Sequence, residues 1–166
     1  MHNKVKWQPE AVCFIGGSNE TFFGLGAKFQ YGLTDPIRLE GSFLWFFPKT
    51  KTIPGMPAIP PFFPGTPAID ISHNLWDFNV NAHYLFPISG TQLTVYPLAG
   101  LGFTGFRGKV GSESNTETRF GFNLGGGLDF PITETITLNF EARYKLVADS
   151  DFKNLYFIGL GAAFRF

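Results

Sequence analysis

This chain is short of charge, nearly without sulfur, and free of long apolar runs. Only 16% of its 166 residues are charged, against about 25% in an average soluble domain. The net charge is +0, so nothing in the balance points to nucleic acid or an acidic partner. Cys13 is the single cysteine, which excludes an intramolecular disulfide and a thiol metal cluster. No stretch approaches the ~18 apolar residues of a membrane-spanning helix. A length of 166 residues fits one domain, 1–166.

What the chain does have is 21 Phe, 20 Gly and a 44% hydrophobic content. Without an apolar run, that hydrophobicity must be spread by alternation. The last segment shows it: Tyr156, Ile158, Leu160, Ala162, Phe164 and Phe166 interleave with Leu155, Phe157, Gly159, Gly161, Ala163 and Arg165. A period of two over this length is a strand. Eight such segments are expected, at 5–16, 22–33, 37–48, 72–87, 91–107, 117–130, 134–147 and 154–166. Several exceed the ~9–11 residues that a tilted membrane strand needs. Short turns at 33–37, 87–91 and 131–134 alternate with longer or more polar connections at 17–21, 49–71, 108–116 and 148–153.

Each segment splits into two faces. One carries Phe23, Leu25, Phe29, Phe43, Trp45, Phe78, Val80, Leu101, Phe103, Phe122, Leu124, Phe140 and their equivalents, with no charge. The other carries Glu10, Lys28, Arg38, Glu40, Asp77, Arg119, Asp129, Glu141, Arg143 and Arg165 among many glycines. A soluble lipid carrier would turn the apolar face inward, a membrane barrel outward. Three features favour outward. Glycine suits a crowded lumen better than a water-facing strand. The bulky face would overfill an eight-strand interior. Trp and Tyr fall near segment ends, as in interfacial girdles. The expected fold is therefore all-β: an eight-stranded antiparallel up-and-down transmembrane β-barrel. Met1-His2-Asn3-Lys4 lacks the apolar stretch of an export leader, so the chain reads as a mature form with an added Met.

The run RFGFNLGGGLDFPITETITLNFEARY (119–144) and the closing YFIGLGAAFRF resemble the small outer-membrane β-barrel family of Gram-negative bacteria. That family includes the opacity proteins and the transmembrane domain of outer-membrane protein A. The resemblance implies a bacterial outer-membrane location with periplasmic termini and long extracellular loops. It also implies a lipid and lipopolysaccharide environment. Members act as adhesins, envelope anchors, serum-resistance factors and occasionally enzymes, so it leaves function open.

Candidate chemistry is sparse. Gly100-Leu101-Gly102-Phe103-Thr104-Gly105 has dinucleotide-fingerprint spacing, but it lies in a strand with no helix to follow. Asn19-Glu20-Thr21 matches a glycosylation sequon by pattern alone. No Ser or His lies on the apolar face, so acyl transfer lacks its nucleophile and base there. No catalytic residue, metal-ligand spacing or cofactor is expected. The ten charges of the polar face are expected to pair in the lumen and plug it, because unpaired buried charges are costly. A narrow channel for ions or small solutes is the alternative. The connection at 49–71 is the other candidate. Seven prolines run from Pro48 to Pro67, with Ile53, Met56, Ile59, Phe62 and Phe63 among them. This loop is expected either to cover the rim or to bind a surface or envelope protein. The leading expectation is a non-enzymatic, adhesion-type barrel that works through it. A lipid-modifying enzyme is the further rival.

Overall fold

The computed structural model describes residues 5–15, 21–149 and 153–165, with only the backbone described along β1 and at Arg165. The strands are β1 (Val5–Ile15), β2 (Thr21–Gly32), β3 (Ile37–Ile53), β4 (Ile69–Tyr84), β5 (Phe86–Pro87), β6 (Thr94–Val110), β7 (Glu113–Pro131), β8 (Ile136–Val147) and β9 (Leu155–Arg165). The two-residue β5 continues β4 in register: His83 faces Leu98 and Phe86 faces Val95. The break between them falls opposite Pro97, which has no N–H to give. Eight long strands remain, each antiparallel to its neighbours in sequence. Pairing of β1 with β9 closes the ring.

Closure answers the solvent. In hydrocarbon every backbone N–H and C=O must be satisfied within the protein, and a sheet does this only by having no edge. The closure is staggered. Val5 pairs with Tyr31, Tyr31 with Leu39, Leu39 with Ala82, and Ala82 with Ala99. The path continues through Leu124, Tyr144 and Tyr156 and returns to β1 at Ile15. One circuit thus climbs from residue 5 to residue 15 of the same strand, which forces the strands to tilt against the barrel axis.

The faces divide as alternation requires. Phe23, Leu25, Phe43, Phe78, Val80, Leu101, Phe122, Leu124, Phe140 and Leu160 are exposed on the outside. Lys28, Glu40, Asp77, Asn79, Asn123, Asn139 and Lys145 are buried inside. Aromatic pairs mark both ends of the apolar band, Tyr84 with Phe86 and Tyr144 with Tyr156, each at 4.7 Å between ring centroids. The glycines explain how the interior fits. Asn79 faces Gly102 and Asn81 faces Gly100 across one strand pair, and Phe46 faces Gly24 across another. A Cβ on Gly100 would run into the Asn81 side chain, so the bulky member of each pair lies over a residue with no side chain.

Four strands outgrow the band. β1, β2, β8 and β9 have 11–12 residues, while β3, β4, β6 and β7 have 16–19. Together the longer four raise a wall on one side of the barrel. This redraws two connections. The segment 108–116 is strand on both sides of a two-residue turn, with Gly111 at φ 59°. Residues 49–53 and 69–71 belong to β3 and β4, paired from Lys49–His73 to Ile53–Ile69 beyond a register shift at Phe46/Lys49 that takes up Pro48. The Pro-rich connection proper is 54–68.

Candidate functional site

Two candidate sites follow from this frame, the lumen and the tip of the β3–β4 hairpin. In the lumen, four cations meet four carboxylates among the described residues. Lys28 on β2 contacts Glu141 on β8 at 2.9 Å and Glu40 on β3 at 3.7 Å. Arg38 on β3 pairs with Asp129 on β7. Asp77 on β4 takes both Arg143, at 3.1 Å, and Lys145 from β8. Neutral donors fill the gaps. Asn139 donates to Asp129 and to the Tyr96 hydroxyl, and Tyr96 donates to Glu141 at 3.0 Å. Thr104 donates to Asp77 at 2.6 Å, and Asn123 donates to both Asn79 and Asn81 at 2.9 Å. Burying charge is tolerable only when each ion keeps partners and the remaining lone pairs are used.

Of the ten polar-face charges expected in the lumen, Lys28, Arg38, Glu40, Asp77, Asp129, Glu141 and Arg143 come together there. Arg119 does not. It sits half-exposed at the long-loop end, bonded to Glu117 at 2.8 Å and to Asp149 at 2.7 Å. Glu10 and Arg165 lie outside the residues whose side chains are described, as does Cys13. Lys145 and His83, which alternation also puts on the polar face, join the network. The signal for them was present, since both share the parity of Asp77 and Glu141.

Glu40, His83 and Glu141 bring one ligand atom each within 4.8 Å of one another. Their surroundings suit ion pairing better than metal binding. The Lys28 ammonium already contacts both carboxylates. Arg38 donates to His83 Nδ1 at 3.1 Å, which leaves the imidazole proton on Nε2, the atom that faces the carboxylates. His83 itself is stacked on Tyr96 at 4.5 Å. Ser72, inside β4, shares a hydrogen bond with Thr50 at 3.2 Å. His73 faces the opposite side of the same strand.

Above the charges the lumen turns apolar. Phe22, Leu44, Phe46, Leu75, Leu155 and Phe157 form a buried cluster at the long-loop end, with Phe106 and Val147 packed on it. Phe46 meets Phe157 at 6.0 Å across the interior. Charge on the inner face does not foretell this plug; parity with Glu40 and Asp77 was the available clue.

The second site is an arm. Beyond Ile53 and Ile69 the hairpin stays ordered: Thr66 N donates to the Met56 carbonyl at 3.0 Å and Met56 N to Thr66 Oγ1 at 3.1 Å. Gly55 permits this crossing, since a Cβ there would collide with the Thr66 carbonyl. At the tip Ile59 and Phe63 bridge, with Ile59 N donating to Phe63 O at 2.9 Å. Met56, Ile59 and Phe62 are left in the open, Phe62 at 88% exposure.

The sequence over residues 5–166 matches the family model of the outer membrane protein beta-barrel domain. The chain belongs to that family. Solved structures of similar shape include the N-terminal β-barrel domain of Pseudomonas aeruginosa OprF, at 19% identity and TM-score 0.68, covering 99% of this chain and 98% of that one. Neisserial surface protein A is similar at 16% identity and TM-score 0.65, covering 98% and 94%. Ail, the attachment invasion locus protein of Yersinia pestis, is similar at 15% identity and TM-score 0.59, covering 100% of both chains. At these identities the likeness is one of fold. No curated protein matches by sequence. As an outer-membrane barrel, this chain resides in the bacterial outer membrane.

Proposed function

We propose that this outer-membrane barrel is non-enzymatic and binds a surface or envelope partner through its β3–β4 arm. Its termini and short turns would face the periplasm and the arm the outside, as in barrels with short periplasmic turns and longer outer loops. The exposed apolar tip carries the reading. Phe62, Ile59 and Met56 are anchors of the kind that dominate interfaces. Ordering by the Met56–Thr66 bonds and the prolines lowers the entropy lost on docking. A passive channel is less well supported, because the apolar plug sits directly above the paired charges.

The test replaces residues 54–68 with a short Gly-Ser turn. Folding should persist, read as heat-modifiable gel mobility, because the band strands are untouched. Crosslinking on whole envelopes should lose the products that the full chain gives, and Phe62→Ser with Met56→Ser should lose them likewise. Unchanged products with the shortened barrel would leave the arm as a rim cover and end the proposal.

A further inference from the structure

The arm carries no charged side chain from Thr52 to Ile69; the charges that flank it are Lys51 and Asp70. Between Ile53 and Ile69 the sole polar side chain is Thr66, and its Oγ1 already accepts the Met56 N–H at 3.1 Å. The backbone is equally spare. Residues 54–68 include six prolines, which have no N–H to offer. At the tip, 59–64, every remaining N–H is used within the arm. Ile59 N donates to Phe63 O at 2.9 Å, Phe62 N to Ile59 O at 2.8 Å and Phe63 N to Ile59 O at 2.9 Å. Pro60, Pro61 and Pro64 fill the other positions. The tip thus presents apolar side chains, Phe62 most of all, and no free backbone donor.

These features choose between two kinds of partner. A protein interface carries about one hydrogen bond per 100–200 Å², and the tip has no donor and no charge to give one. A lipid interface needs the reverse: apolar side chains to bury, and N–H groups already satisfied, because a bare N–H is costly in hydrocarbon. The carbonyls of Pro60, Pro61 and Phe62 take none of the tip's bonds. They would hold the tip at the headgroup boundary, roughly 5–10 Å deep. Height then decides which membrane is in reach. Trp45 and Trp76 face each other across β3 and β4, and the outer face of β4 turns polar beyond them at Asn74, Ser72 and Asp70. Ile69 lies seven residues beyond Trp76, about 23 Å along the strand and about 17 Å in height at a tilt of about 40°. The barrel's own interfacial layer is only roughly 5–7 Å deep. The Met56–Thr66 bonds carry the hairpin on from Ile53–Ile69 to the tip.

We infer that the arm tip is a wedge for a second bilayer, a zwitterionic phospholipid surface facing the long-loop end, with Phe62, Ile59 and Met56 as the inserting side chains. The absence of charge at the tip fits a surface without net charge. Insertion asks only for apolar area, so it tolerates a change of side-chain shape that a moulded protein pocket would not. This partner class rests on the arm-binding reading proposed above and makes it specific.

The test holds the barrel in phosphatidylcholine nanodiscs and floats it with separate phosphatidylcholine vesicles. The wild type should float with the vesicles, and high salt should not prevent it, because no charge takes part. Ile59→Ser with Phe62→Ser should lower vesicle affinity about tenfold or more, while Phe62→Leu should keep most of it. Phe62→Trp reports where the tip sits. Its added emission, taken as the difference from the wild type, should be quenched by brominated lipid in the vesicles and not by brominated lipid in the disc. A wild type that stays behind, or a barrel with 54–68 replaced by Gly-Ser that floats equally well, would overturn the wedge. So would quenching from the disc, which would lay the tip on the barrel's own membrane. The wild-type measurement needs no variant to fold. The vesicles hold no protein, so a failure here is distinct from failure of the arm reading, which the crosslinked envelope products decide.

Discussion

Arg143 touches two carboxylates, Asp77 at 3.1 Å and Glu141 at 3.7 Å, and its guanidinium also lies 4.9 Å over the Phe157 ring. Removing one partner of a buried ion pair typically costs about 3–5 kcal/mol. Lys145 still serves Asp77 and Lys28 still serves Glu141, so Arg143→Ala should fall near the low end, about 3 kcal/mol. Urea titration of folding into lipid vesicles measures it; a loss below about 1 kcal/mol would mean that water already reaches the pair. At this scale the sequence was half legible. Parity alone put Arg143, Asp77, Glu141 and Asp129 on one face. It could not choose their partners, because those depend on the stagger. Asp129 and Arg143 lie on adjacent strands, yet the carboxylates that meet Arg143 are Glu141 and Asp77, and the register brings Arg38 to Asp129 from the far side of the interior.

Strands were legible wherever one of their faces meets lipid. There the period of two is enforced, and the apolar set from Phe23 to Leu160 could be read directly. Phe122, exposed at mid-strand in β7, makes the assignment testable. Phe122→Arg should cost about 2–4 kcal/mol near the bilayer midplane, as a loss of folding yield and stability in lipid. An unaffected variant would mean that the faces are reversed. Beyond the band the signal fades for a physical reason. The ends of β6 and β7, 108–110 and 113–116, extend past the apolar band and need no alternation, so the segment 108–116 reads as a loop. The ladder holds them all the same, with Val110 paired to Glu113 across the turn.

As a whole the molecule is a lipid-facing sleeve around a two-layer filling, charged toward the short turns and apolar toward the long loops. Planar-bilayer recordings should therefore show very low conductance, and Phe46→Ala with Phe157→Ala should raise it by removing rings that meet across the bore. Large, stable openings in the wild type would contradict a filled lumen. The ion pairs carry one more consequence, for the order of events when the chain enters a membrane. Lys28–Glu141 joins β2 to β8, Arg38–Asp129 joins β3 to β7, and Asp77 joins β4 to β8; none of these strand pairs are neighbours in the ring. A sheet complete only through β6 would present Lys28, Arg38 and Asp77 to hydrocarbon without these partners. Deep insertion should therefore wait until β7 and β8 arrive, so that time-resolved quenching by lipid probes should find the strands crossing the bilayer together, the late ones acting as the latch.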